Sequence, residues 1–191
     1  MIIYVDDILI YGCNNKEIDD FIDRMKTEDV ALHKEGTAEG YLGVDIQRDG
    51  NKITFTQIGL TKRIIEALGL DSKFTTAVAM PAEKAALGKD VDGPPASGQI
   101  NYASMIGMLL YLGHSHPDIA FATHQCARYT FAPKQSHEEA LKRIGRYLKG
   151  TLKNGLILCP SDDLKIDCYP DADFAGLWKR DKTDDPHCVQ G

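Results

Sequence analysis

Residues 2–11, IIYVDDILIY, constrain the fold more than any other stretch of the chain. Ile, Tyr, Val and Leu favour extended backbone, and the aspartate pair at Asp6-Asp7 interrupts the apolar run at its middle, where a tight turn accepts Asp. The pattern predicts a β-hairpin with both carboxylates at its tip. Residues 12–15 then break the strand. Ile18, Phe21, Ile22 and Met25 recur at helical spacing, so residues 16–26 are expected to form an amphipathic helix with an acidic outer face.

A second hairpin is expected over residues 41–57. Leu42, Val44 and Ile46 alternate with Gly43, Asp45 and Gln47, and Asp49-Gly50 signals a tight turn. A short helix over residues 60–70 follows, with Leu60, Ile64, Ile65 and Leu68 inward, Lys62 and Arg63 outward, and Gly69 as its stop. Residues 71–98 hold Pro81, Pro94, Pro95, Gly88, Gly93 and Gly98 with little periodicity, and read as a linker or extended crossing segment between two units. Three helices are expected next. Residues 100–112 are apolar, and Gly107 suggests close packing. Residues 117–129 open with Pro117 and Asp118, both favoured in a first turn. Residues 136–149 open with a capping box of Ser136 and Glu139 and turn Leu141, Ile144 and Leu148 inward. Residues 155–159 and 164–169 read as a final strand pair. The fold class expected is α+β.

The five cysteines are scattered and odd in number, without a C-x-x-C pair, which argues against a disulfide framework or zinc ribbon and makes a reducing compartment the default. His114, His116, His124 and Cys126 come nearest to a metal cluster, but their spacing fits no standard zinc motif, and helix residues without a metal are the better reading. No apolar run is long enough to span a membrane, and the first residues lack the basic region of a signal peptide. The net charge of −6 argues against a simple nucleic-acid-binding domain. Charge is uneven, however. Between Phe121 and Gly155 seven basic residues face only Glu138 and Glu139, and Lys142, Arg143, Arg146 and Lys149 gather on one predicted helix. Such a face can bind phosphate.

Two adjacent carboxylates on a rigid turn suit a hard divalent cation such as Mg²⁺ or Mn²⁺, which phosphoryl transfer requires. Turns, though, accept Asp for purely structural reasons. Longer stretches narrow the choice. YVDDILIYG resembles the polymerase motif of reverse transcriptases. YLGVDIQRDGNKITFTQ followed by GLTKRIIEALGL resembles the segment after it in copia-type retrotransposon Pol polyproteins. GMLLYLGHSHPDIAFATHQCARYTFAPKQSHEEALKRIGRYLKGTLKNGLIL resembles that family's connection region, and YPDADFAG the first strand of its ribonuclease H domain.

The resemblance implies that Asp6 and Asp7 bind catalytic metal beside Tyr4 and Val5 at the primer end. It makes Asp171 the first ribonuclease H carboxylate, with Asp173 a less certain neighbour. It divides the chain into the end of a palm and start of a thumb (1–70), a linker (71–98), connection helices (99–160) and the start of ribonuclease H (161–191). It further implies an RNA/DNA template–primer partner, touched by Tyr4, Lys62, Arg63, Lys142, Arg143, Arg146 and Lys149, and a cytoplasmic virus-like particle.

Against this stand the departures. The family's further polymerase aspartate and its fingers belong upstream of Tyr4, and more ribonuclease H carboxylates belong downstream of Asp171. The chain is therefore expected to be a polymerase piece without stable metal and inactive alone. The alternative is a non-catalytic nucleic-acid-binding remnant using the basic helix 136–149, and the third possibility is a fragment that does not fold. The purified chain is expected to extend no primer with Mg²⁺ or Mn²⁺. Extension that disappears in Asp6→Asn would overturn that expectation.

Overall fold

The computed structural model describes residues 1–28, 33, 36, 38–160 and 168. The first run forms the expected hairpin: β1 (Ile2–Tyr4) and β2 (Asp7–Leu9) pair antiparallel with Ile2 opposite Leu9 and Tyr4 opposite Asp7. That register leaves Val5 and Asp6 as a two-residue loop. Such loops need a left-handed first residue, and here Val5 supplies it with φ 48°. A β-branched residue in this region is strained by about 1–3 kcal/mol. Helix α1 (Asn15–Thr27) starts at Asn14, whose side chain accepts from the Lys16 N–H at 3.0 Å. Its apolar stripe buries Ile22, while Glu17, Asp19, Asp20 and Asp23 face out, as the periodicity requires.

The second region departs from one continuous strand. β3 (Gly40–Tyr41) and β4 (Val44–Asp49) are separated by a tight turn in which Leu42 and Gly43 both have positive φ, 50° and 75°. The alternation of Leu42 with Val44 and Ile46 therefore spans a turn. β4 pairs antiparallel with β5 (Lys52–Thr56), Asp49 facing Lys52, so the loop is Gly50-Asn51 and not Asp49-Gly50. Gly50 takes the positive φ, 56°, that the first loop position demands. β6 (Leu156–Leu158) completes this sheet by pairing with β5, giving the order β3-β4-β5-β6. The strand expected over residues 155–159 thus exists, but its partner is the early hairpin. The other expected strand, 164–169, lies outside the described residues except for Cys168, which is in no strand.

Helices α2 (Ile58–Ala67), α3 (Tyr102–Leu112), α4 (Ala120–Ala127) and α5 (Gln135–Gly150) share one hydrophobic core, and a 3₁₀ turn at Pro117–Ile119 leads into α4. Ile64, Leu109, Leu112, Ile119, Leu141, Ile144 and Leu148 are fully buried within it. Each such side chain contributes about 1.5–3 kcal/mol relative to exposure. α2 therefore packs with helices that follow residue 98, against the expectation of two separate units. Residues 71–98 are the crossing segment: Val78 N–H donates to the Arg146 carbonyl at 3.4 Å, Tyr129 O–H to the Leu87 carbonyl at 2.9 Å, and Gln135 N–H to the Pro94 carbonyl at 3.0 Å. The α5 cap also differs. Lys134 is the N-cap, and its N–H donates to His137 Nδ1 at 2.9 Å, while Ser136 Oγ turns away to donate to Asp90 at 2.6 Å. Imidazole Nδ1 takes the place of the expected Glu139 carboxylate. Together the two antiparallel sheets and the helical core make an α+β fold.

Gly107 is exposed, with open space where a Cβ would stand, so it mediates no close packing. Gly155 does: an added Cβ would lie 2.2 Å from the Phe55 carbonyl oxygen. In urea titrations Gly155→Ala is expected to destabilise the chain by about 1–3 kcal/mol, because backbone cannot yield as a side chain does. Gly107→Ala is expected to stabilise it by about 1 kcal/mol through helix propensity. Reversal of these two signs would show that the β5–β6 approach is looser than described.

Candidate metal and nucleic-acid site

The hairpin loop exposes its motif. Tyr4 is 59% and Val5 80% accessible, and Asp6 and Asp7 are exposed. Asp6 lies in the loop and Asp7 opens β2, so both carboxylates belong to one turn. They line an open cleft of about 890 Å³ together with Glu39 and Asp45, near the β3–β4 turn, and with Ile18 and Ile22 of α1. Among the described residues no three His, Cys, Asp or Glu side chains gather closely enough to hold a metal ion by themselves. Asp6 and Asp7 nevertheless fit Mg²⁺ by donor chemistry, because that ion is commonly held by one or two carboxylates with water and phosphate oxygens completing its shell. When bound, it would supply Lewis-acid stabilisation of phosphate charge. Asp171 and Asp173 lie outside the described residues.

The cleft wall is tied to the helical core by a contact that local pattern does not reveal. Tyr111 O–H, near the end of α3, donates to the Leu42 carbonyl in the β3–β4 turn. Away from the cleft, a buried contact also spans distant residues: Ser115 Oγ donates to Gln57 Oε1 at 2.8 Å, joining the start of α2 to the turn after α3. These partners are 69 and 58 residues apart, beyond the reach of any helical or strand period.

The basic residues divide into two groups. Lys62 and Arg63 are exposed on α2, where the sequence placed them. On α5, Lys142, Arg143, Arg146 and Lys149 are only half-exposed, because crossing segment and neighbouring helices surround that helix. Arg143 forms an ion pair with Glu83, and Lys149 Nζ donates to the carbonyls of Leu70, at 2.9 Å, and Ser72. The open basic face expected over residues 136–149 is thus engaged within the fold at Arg143 and Lys149. Low-dielectric surroundings explain this, since a cation partly removed from water needs a partner. Glu83, inside an irregular segment, had no sequence signal as that partner.

His114, His116, His124 and Cys126 do not form a cluster. His114 and His124 are exposed, His116 is buried with Nδ1 3.4 Å from Asp118, and the Cys126 thiol is pushed up to about 11 by burial, against a smaller lowering by its Tyr102 hydrogen bond. A thiol held protonated is a poor metal ligand.

Residues 1–83 match the family described as "Reverse transcriptase (RNA-dependent DNA polymerase)". Among particular relatives, the chain is 31% identical over 92% of its length to the retrovirus-related Pol polyprotein from transposon RE1 of Arabidopsis thaliana. It is 29% identical over 92% of its length to that from transposon TNT 1-94 of Nicotiana tabacum. The chain covers 12% and 14% of those two proteins. It is also 24% identical over 99% of its length to an uncharacterized mitochondrial protein of Arabidopsis thaliana, of which it covers 77%. No solved structure matches. Among the described residues no helix is long and apolar enough to cross a membrane.

Tyr147 O–H donates to Asp118, and that hydrogen bond, with smaller effects of burial and of the carboxylate charge, pushes the phenol up to about 12 from 10.0. Because the folded value is raised, the bond's stabilisation is complete below pH 10, the unfolded value, and is lost as pH rises toward about 12. In Asp118→Asn the Tyr147 ring carbons are expected to titrate closer to 10 by NMR. An unchanged titration would remove Asp118 as the cause.

Proposed function

We propose that this chain is part of an RNA-directed DNA polymerase of the retrotransposon Pol type. The observation that carries the reading is Tyr4-Val5-Asp6-Asp7 at the exposed turn end of an antiparallel hairpin, inside the stretch that matches the reverse transcriptase family. In this reading Asp6 and Asp7 are the metal ligands at the polymerase site, with Mg²⁺ or Mn²⁺ as the ion, and Tyr4 and Val5 lie beside the primer end. Residues 1–70 are palm and the first thumb helix, 99–160 the connection helices joined to them by 71–98, and 161–191 the start of ribonuclease H with Asp171 as its metal ligand. The partner is an RNA/DNA template–primer duplex.

Two adjacent carboxylates repel each other, and a divalent cation relieves that repulsion while leaving coordination positions for phosphate oxygens. Lys62 and Arg63 project from α2 as exposed cations suited to phosphates. The second reading, a nucleic-acid-binding function without catalysis, is favoured by the same exposure and moves from α5 to α2, because α5 answers the charges of Arg143 and Lys149 internally.

Mn²⁺ titration followed by water-proton relaxation tests the metal assignment. Weak binding is expected, and is expected to vanish in the Asp6→Asn, Asp7→Asn double variant; equal binding by both proteins removes it. Fluorescence anisotropy with a labelled RNA/DNA duplex tests the basic pair. Lys62→Ala with Arg63→Ala is expected to weaken binding and to lower the salt slope by about 1–2. Unchanged affinity and slope would exclude α2 as the contact.

A further inference from the structure

Residues 87–97 have no regular secondary structure, yet they are fastened to the start of α5 at several points. Ser136 Oγ donates to Asp90, Ser97 Oγ donates to Glu138 at 3.0 Å, and Ala96 N–H donates to the Pro133 carbonyl at 3.1 Å. At the centre stands His137, with no accessible surface. Its ring is stacked on Tyr129, centroids 4.1 Å apart and planes 9° from parallel. Nδ1 lies 2.9 Å from the Lys134 backbone nitrogen, and Nε2 lies 2.9 Å from the Gly88 carbonyl oxygen.

These two contacts determine the tautomer. A backbone N–H only donates, so Nδ1 must present its lone pair; a carbonyl only accepts, so Nε2 must carry the proton. One ring thereby joins the first turn of α5 to the crossing segment. A second proton would have to enter at Nδ1, setting two N–H groups against each other and placing a charge where no water reaches. We propose that His137 is a pH-sensitive pin: its neutral ring holds residues 87–97 on α5, and its protonation releases them.

The surrounding charges bear on this. On α5, the Lys134 ammonium donates to the Gly93 carbonyl, and the buried Glu138 carboxylate accepts from Ser97. On the crossing segment, Asp90 accepts from Ser136 and Lys89 is exposed. Beyond the stacked Tyr129 lies the Arg128 guanidinium, 5.5 Å from that ring, and from α3 comes the buried Tyr102 phenol, which donates to the Cys126 carbonyl. Both nitrogens of His137 are already committed, so neither carboxylate receives a hydrogen bond from the ring. This inference is independent of the polymerase reading.

Amide hydrogen exchange on the whole chain tests it, at about pH 7.5 and about pH 5, with rates corrected for intrinsic pH dependence. The amides of Ala96 and Gln135 are expected to lose protection about tenfold more than that of Leu109 in α3. His137→Gln, which keeps a side-chain donor and cannot titrate, is expected to abolish that difference. Protection at Ala96 that ignores pH, equal loss at Leu109, or persistence of the effect in the variant would each overturn the proposal. Should the variant fail to fold, ¹⁵N spectra of the unmodified imidazole decide. A proton on Nε2 at neutral pH is expected, and a proton on Nδ1 would overturn it.

Discussion

The packing of α5 on all sides is the constraint on which the rest of the fold depends. Leu141, Ile144 and Leu148 form a stripe with no accessible surface, and Gly145 beside them lets α5 approach Leu68 and Leu70 closely. With α2 and α4 packed against it and the crossing segment laid along it, the helix has little surface left for solvent. Its cations then need partners inside the molecule, which is why Glu83 and the carbonyls leaving α2 meet Arg143 and Lys149. A helix that looks amphipathic and basic in sequence becomes a central post.

The motif-bearing hairpin is built on the opposite principle. Among the described residues its strands pair only with each other, and its loop holds the left-handed Val5. What relates it to the body of the chain is the cleft bounded by the β3–β4 turn, which Tyr111 ties to α3. The carboxylates therefore stand at an open margin, where ligands and solvent both reach them, while stability resides in the helices. Separation of an exposed charged turn from a dry core is what metal and phosphate chemistry would require, since desolvating two unpaired carboxylates is costly.

Much of this was legible from local pattern. The helical periods of α1 through α5 and the short hairpins rest on interactions between residues a few positions apart, so the sequence carries them directly. Lys62 and Arg63 emerged exposed for the same reason, lying off the Leu60, Ile64, Ile65 stripe. What stayed hidden depends on distant partners or on chemical near-equivalents. The break at Leu42-Gly43 asks a leucine to adopt positive φ, which propensity argues against. The α5 cap uses an imidazole where a carboxylate would serve. The engagement of Arg143 depends on a glutamate 60 residues away in an irregular segment.

The pairing of β6 with β5 has a consequence for biosynthesis. Leu156 must find Phe55, and Asn51 donates to the Pro160 carbonyl across 109 residues. As the ribosome delivers the chain from its N-terminus, β5 emerges with an open edge, and β6 arrives only after α1 through α5 have been made. Until then, the helices can consolidate through short-range contacts while the sheet waits, its unpaired backbone available to any extended neighbour. Closing that edge is a late step, and the nascent chain is most vulnerable to association during the interval before it.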